Sequence, residues 1–113
     1  MANTFKVKTK AGVGTSITTV YTVPSSTTTI VLGLMLCNID TSQRLVDVHI
    51  ESDTSDTETN SNVHAIKDAP IPAGSTLEVM AGNKVVLQAT DVLQIDCDVA
   101  GKIDATLSIM EIT

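Results

Sequence analysis

The chain has 113 residues, of which 42% are hydrophobic and 18% charged, a balance typical of one folded domain and too apolar for a disordered chain. Its net charge of -6, with only seven lysines and arginines, argues against a phosphate-binding surface and therefore against nucleic-acid partners. One phenylalanine, one tyrosine and no tryptophan leave little ring surface for stacking on sugars or unpaired bases.

β-Branched side chains dominate the composition. The 13 valines, 10 isoleucines and 17 threonines make up 40 of the 113 residues, and such side chains suit a pleated sheet better than a helix. No apolar run reaches the roughly 18 residues of a membrane helix, and the first residues lack the features of a signal peptide. The sequence therefore predicts an all-β protein with no membrane partner, made in the cytoplasm.

The first two predicted strands are separated by glycines. Residues 4–10 place Phe5 and Val7 on one face and three lysines on the other, which predicts a half-buried strand with a solvated basic face. A basic arm is the alternative interpretation of these lysines. Residues 16–23 form the second predicted strand, which Pro24 ends because proline cannot donate to a ladder.

The middle of the chain holds the most informative patterns. Residues 27–38 carry aliphatic side chains on both parities, which is typical of a strand covered on both sides and predicts the centre of the fold or of an interface. Residues 44–51 alternate most cleanly between aliphatic and polar side chains. Residues 52–62 contain no aliphatic side chain, so they are predicted to form an exposed loop.

The next segments are short and rich in turn residues. Residues 63–68 are predicted to form a strand, and the prolines within 70–74 predict an extended connector. Residues 75–80 and 84–89 are predicted to pair as a hairpin around a turn at 81–83.

The last two strands are predicted at residues 92–99 and 103–112, which brings the number to eight or nine. That many short strands at close spacing is typical of an antiparallel β-sandwich, most often the eight-stranded jelly roll. No linker or internal repeat divides the sequence. Residues 1–113 are therefore predicted to form a single β-sandwich domain.

The final strand is apolar on both faces. Leu107 and Ile109 share one parity, whereas Met110 and Ile112 share the other. Part of such a strand would face water in a monomer, so these four residues are the predicted interface with another subunit. The alternative is that the strand is central and is covered within its own domain.

Few residues suit catalysis. His49 and His64 are the only histidines, no catalytic motif surrounds them, and both are interpreted as surface residues. Cys37 and Cys97 lie in apolar segments, which favours reduced, buried thiols over a disulfide.

Two groups of carboxylates are candidate metal sites. One is the pair on a predicted strand, Asp96 and Asp98, and the other is the set in the predicted loop, Asp53, Asp56 and Glu58. Neither matches an EF-hand loop or a zinc spacing, so both are interpreted as solvated. The sequence predicts no catalytic residue, no metal and no cofactor.

Three segments carry a resemblance to a known group of proteins. They are residues 21–24 (Tyr-Thr-Val-Pro) with the aliphatic run at 30–38, residues 67–77 (Lys-Asp-Ala-Pro-Ile-Pro-Ala-Gly-Ser-Thr-Leu), and residues 107–112 (Leu-Ser-Ile-Met-Glu-Ile). Together they span roughly residues 20–113, and they resemble small β-sandwich virion structural proteins of tailed phages, many from cyanobacterial hosts. Cys37 stands where that group is expected to have a small residue.

The resemblance implies a non-enzymatic virion protein that is assembled in the bacterial cytoplasm. The leading expectation is a capsid decoration or cement subunit, which packs on the major capsid protein as a homo-oligomer, possibly a trimer. A neck, tail, baseplate or fibre-attachment subunit is the alternative. A host-surface binding module that acts through the loop at 52–62 is a further one, and an enzyme comes last.

Overall fold

The structure is a computed structural model that describes residues 2–55, 58–80 and 83–113. Within these ranges it contains no helix, and hence none that could cross a membrane. It contains nine strands: β1 (Asn3–Val13), β2 (Thr18–Thr22), β3 (Thr28–Asn38), β4 (Arg44–Glu51), β5 (Val63–Ile71), β6 (Thr76–Glu78), β7 (Val85–Leu87), β8 (Val92–Cys97) and β9 (Ile103–Ile112). The all-β prediction is confirmed.

The strands form two antiparallel sheets. Sheet A has the order β1-β9-β3, and both β6 and β7 pair with β3; sheet B has the order β2-β8-β4-β5. If β6 and β7 are taken as two parts of one strand, this is the strand order of a jelly roll, in which consecutive strands lie in opposite sheets except for β4 and β5, which pair within sheet B. The predicted sandwich of eight or nine strands is confirmed.

The core between the sheets is almost entirely aliphatic. Strands β3 and β9 supply most of it from sheet A, and β4 and β8 supply it from sheet B. The largest fully buried side chains are Leu34, Leu36, Ile71, Leu87, Leu93, Ile95, Ile103, Leu107 and Ile109. This dry layer holds the two sheets together and leaves the outward faces available for other contacts.

Strand β3 contains a bulge between Val31 and Gly33. The extra residue changes the parity, so that Val31 and Leu34 both point into the core although they lie three positions apart. Ile30 and Met35 point outward on the same strand, and Met35 is 43% exposed. The expectation that this strand is covered on both sides is therefore wrong for the isolated chain. The bulge puts core residues on both parities of the sequence, although they all lie on one face of the strand.

Strand β1 lies at one end of sheet A and pairs with β9 alone. Phe5 and Val7 are 71% and 62% exposed, so the prediction that they bury one face of the strand is wrong. Their face points away from the core because Phe5 pairs with Met110, which itself points outward. The lysine face points the other way, since Lys6 and Lys8 pair with Ile109 and Leu107, whose side chains point into the core.

The predicted hairpin of residues 75–80 and 84–89 is also wrong. β6 pairs with Met35–Cys37 of β3 and β7 pairs with Thr29–Val31, so the two strands follow one another along the same neighbour. The predicted turn at 81–83 lies partly outside the described residues. β5 runs into the predicted connector and ends at Ile71. It includes Pro70, which an edge strand tolerates and a central strand excludes.

A polar cluster is buried where β1, β2, β3 and β9 meet. The Tyr21 hydroxyl donates to a carboxylate oxygen of Glu111 and shares a hydrogen bond of 2.8 Å with the hydroxyl of Thr29. The other Glu111 oxygen lies 2.7 Å from the ammonium of Lys6. Burial, followed by the bond to Glu111, raises the pKa of Tyr21 to about 12, so the phenol stays protonated and keeps donating.

Candidate functional site: the outer face of sheet A

One row of apolar side chains crosses the outer face of sheet A. Phe5 pairs with Met110, Met110 pairs with Ile30, and Ile30 pairs with Val86, so four strands contribute neighbouring side chains to the row. Phe5 is 71% exposed and Val86 is 60% exposed. An apolar row that spans a sheet and faces solvent is a candidate contact surface.

Further apolar side chains flank this row. Val7 pairs with Ser108, Met35 pairs with Thr106 and Ile112 pairs with Asn3, all on the outward side. The outer apolar face is defined here by Phe5, Val7, Ile30, Met35, Val86, Met110 and Ile112. None of these residues is charged, so a partner that covered them would not have to bury a charged side chain from this set.

The structure separates the four predicted interface residues into two pairs. Leu107 and Ile109 are fully buried in the core, so they cannot meet another subunit, and this part of the prediction is corrected. They are buried because β9 is a central strand between β1 and β3 and its inner face is covered within its own domain, which was the alternative interpretation of this strand. Met110 and Ile112 are half-buried and belong to the outer apolar face.

Sheet B carries a different candidate on its own outer face. Asp47 and His49 point outward from β4, and Asp96 points outward from β8, where it pairs directly with Asp47. One possible ligand atom from each residue lies within 4.8 Å of the others. His49 Nε2 and Asp96 Oδ2 are 3.5 Å apart, which is too long for a strong hydrogen bond. Both His49 Nε2 and Asp96 Oδ1 are buried without a hydrogen-bond partner.

The two carboxylates of this cluster differ in their proton affinity. Burial and the neighbouring Asp47 carboxylate raise the pKa of Asp96, and His49 opposes them only in part. Burial also acts to raise the pKa of Asp47, but the backbone N–H of Asp68, which donates to Oδ1 at 2.6 Å, and the Asp96 side chain together hold it below its usual value. As the pH falls, Asp96 therefore takes up a proton before Asp47 does.

His49 and Asp96 differ from their interpretation as solvated surface groups, because their side chains are only 18% and 17% exposed. The ring of His49 lies against that of His64, with 4.5 Å between centroids, and His64 itself is exposed. Both rings border a cleft of about 220 Å³. Asp98, by contrast, lies at the end of the strand, where it accepts a bond from the backbone N–H of Leu45.

The predicted loop at 52–62 is held to the body by a buried aspartate. Asp91 accepts hydrogen bonds from the Ser52 hydroxyl at 2.7 Å and from the backbone N–H of Gln88 at 2.9 Å. Asp53 and Glu58 are exposed as predicted, and Asp56 lies outside the described residues. The sequence did not predict Asp91 as an anchor of this loop. Its only notable feature there is its position directly before β8.

Both cysteines are free. Cys97 is buried in the core, as expected, whereas Cys37 is only half-buried, on the outward side of β3. Burial raises the pKa of Cys97, which disfavours the reactive thiolate.

The Asp47, His49 and Asp96 cluster was missed because it depends on which strands pair. Asp47 and His49 were visible only as the polar side of an alternating strand, and Asp96 lies on a strand almost 50 residues further along the chain. The alternation itself indicated that Asp47 and His49 share a face. No feature of the sequence indicated that β8 lies next to β4.

No protein-family model matches the sequence, and no curated protein matches it. Among solved structures, the chain is similar to a protein of the Bacillus endospore appendages, described as disulfide-linked pili, with a TM-score of 0.55 and 10% identity over 99% of this chain and 87% of that one. It is also similar to a protein of the T13 IBDV viral particle, with a TM-score of 0.58 and 9% identity over 96% of this chain. The chain spans only 30% of that viral protein, and at such low identities the likeness shows the fold alone.

Proposed function

We propose that this chain is a structural subunit of a tailed-phage virion that acts without catalysis, by packing its outer apolar face against neighbouring subunits. The observation that carries the proposal is the row from Phe5 to Val86, which is continuous across four strands and is left uncovered by the chain's own fold. Burying such a surface against another subunit removes apolar area from water.

The fold supports the same proposal. Both similar structures come from protein assemblies, one a pilus and one a viral particle. A closed sandwich with a dry core is rigid, so its outer face is presented to a partner at little cost in conformational entropy. The favoured role is that of a decoration subunit on the major capsid protein. Association as a symmetric homo-oligomer such as a trimer suits a shell of repeated sites.

The test compares two valines of similar exposure on opposite sheets. Val86→Thr and Val63→Thr each replace one methyl group by a hydroxyl on edge-strand residues that are 60% and 51% exposed, and only Val86 belongs to the outer apolar face. Each purified variant is added to particles of the encoding phage that lack the chain, and bound protein is measured after sedimentation. Val86→Thr, alone or with Phe5→Thr, is expected to reduce binding while Val63→Thr leaves it unchanged.

Equal binding by all variants would overturn the proposed docking face. Copy number then separates the locations: hundreds of copies per particle support the shell, whereas about six or twelve support the neck, tail or baseplate. A chain that is absent from particles but binds the host surface through residues 52–62 would overturn the virion role itself.

A further inference from the structure

We propose that Asp47, His49 and Asp96 form a binding site for one divalent first-row transition-metal ion on sheet B. The site is independent of the proposed docking face because it lies on the opposite sheet. The donor set is one imidazole nitrogen and two carboxylates, a mixture that suits Zn²⁺ and its neighbours better than Ca²⁺ or Mg²⁺, which favour oxygen donors alone.

The first support is the unsatisfied state of the cluster. His49 Nε2 and Asp96 Oδ1 are both buried, and neither has a hydrogen-bond partner. Buried polar atoms in folded proteins are nearly always paired, so two orphans in one cluster require an explanation such as an ion. A metal ion would satisfy both residues and would also neutralise two carboxylates that otherwise repel each other.

The second support is the spacing. His49 Nε2 and Asp96 Oδ2 are already 3.5 Å apart, and two ligands of a tetrahedral zinc ion with bonds of about 2.0–2.1 Å lie roughly 3.4 Å apart. The ligand atoms of all three residues lie within 4.8 Å of one another. An ion would have to draw ligand atoms that are at most 4.8 Å apart to roughly 3.4 Å, a movement of about 1.4 Å or less.

The third support is the way the ligands are held. The backbone N–H of Asp68 donates to Asp47 Oδ1 at 2.6 Å, which orients that carboxylate and leaves Oδ2 for an ion. Asp68 adopts a positive φ of 51°, within an irregular part of the β4 and β5 pairing. The ring of His64 packs against the ring of His49 and limits its rotation. Three protein ligands leave a position for water from the adjoining cleft.

The experiment titrates the full-length, chelator-treated chain with ZnCl₂ by calorimetry and with CoCl₂ by visible absorption. Wild type is expected to bind one equivalent, with the absorption bands of tetrahedral cobalt and a higher Tm in the presence of zinc. His49→Gln and Asp96→Asn each remove one ligand and are expected to weaken binding by at least about tenfold. The matched control is Asp98→Asn, which makes the same change at a carboxylate two positions after Asp96 that lies outside the cluster.

Absence of saturable binding to the wild-type chain would overturn the proposal, and the cluster would then be a proton-sharing carboxylate pair. Binding that persists in both His49→Gln and Asp96→Asn would also overturn it, because the metal would then be held elsewhere, for example by exposed His64. Circular dichroism of each variant confirms that it is folded. If one ligand variant fails this check, the other still decides the outcome.

Discussion

Leu107→Ala and Met110→Ala test which side of β9 faces the core. The two residues lie three positions apart on the same strand, and Leu107 is fully buried whereas Met110 is half-buried on the outer apolar face. Truncating a fully buried leucine to alanine costs about 3 to 5 kcal/mol, because the loss of burial is added to the cost of the cavity. The half-buried Met110 loses less contact, so about 1 kcal/mol is expected.

The cost of Leu107→Ala is a substantial fraction of the free energy of unfolding of a domain this size, which is roughly 5 to 15 kcal/mol. For a chain of about 100 residues each kcal/mol lowers Tm by roughly 4 °C or more, so Leu107→Ala should lower it by at least about 12 °C and Met110→Ala by at least about 4 °C. Thermal unfolding followed by circular dichroism measures both. Equal losses, or a larger loss for Met110→Ala, would refute the assignment of the two faces.

Three further perturbations test the polar clusters. Tyr21→Phe removes a donor to the buried Glu111 and should lower the free energy of unfolding by about 1 to 2 kcal/mol in urea titrations; an unchanged value would mean that the bond contributes nothing. The hydrogen bonds from Lys6 and then Tyr21 lower the pKa of Glu111, so the folded state binds this proton more weakly than the unfolded state. The resulting stability is present at neutral pH and is lost as the pH falls through the carboxyl range, and Glu111→Gln should flatten the measured dependence of Tm on pH there. Asp91→Ala removes the anchor of residues 52–62 and should accelerate their cleavage in limited proteolysis, whereas an unchanged rate would show that other contacts hold the loop.

The strands whose alternation is local were predicted closely. β4 and β9 have the same bounds as the predicted segments 44–51 and 103–112. The alternation of aliphatic and polar side chains marks β4. β9 is apolar on both parities towards its end, and the turn residues Ala100 and Gly101 before it mark where it begins. The eight or nine strands then favoured a jelly roll, which the pairing of the strands confirms.

The errors come from features that depend on distant parts of the chain. The bulge in β3 is defined by its pairing with β9, so the sequence of β3 could not show that Val31 and Leu34 share a face. The register of β1 with β9 decides that Phe5 faces outward and is exposed, although the alternation of β1 is that of a half-buried strand. Likewise, the meeting of Asp47 with Asp96 is fixed by strand register alone.

The basic side of β1 has a consequence for how copies of this acidic chain meet. An edge strand of 11 residues offers a long row of unpaired backbone groups, which invites indiscriminate strand addition. Lys6, Lys8 and Lys10 alternate along this edge, and of these Lys6 is paired with Glu111, so Lys8 and Lys10 carry the repulsion. Two copies that joined edge to edge here would bring like charges together, which is unfavourable. Electrostatic repulsion therefore protects the strand from self-polymerisation, even though its opposite side is apolar.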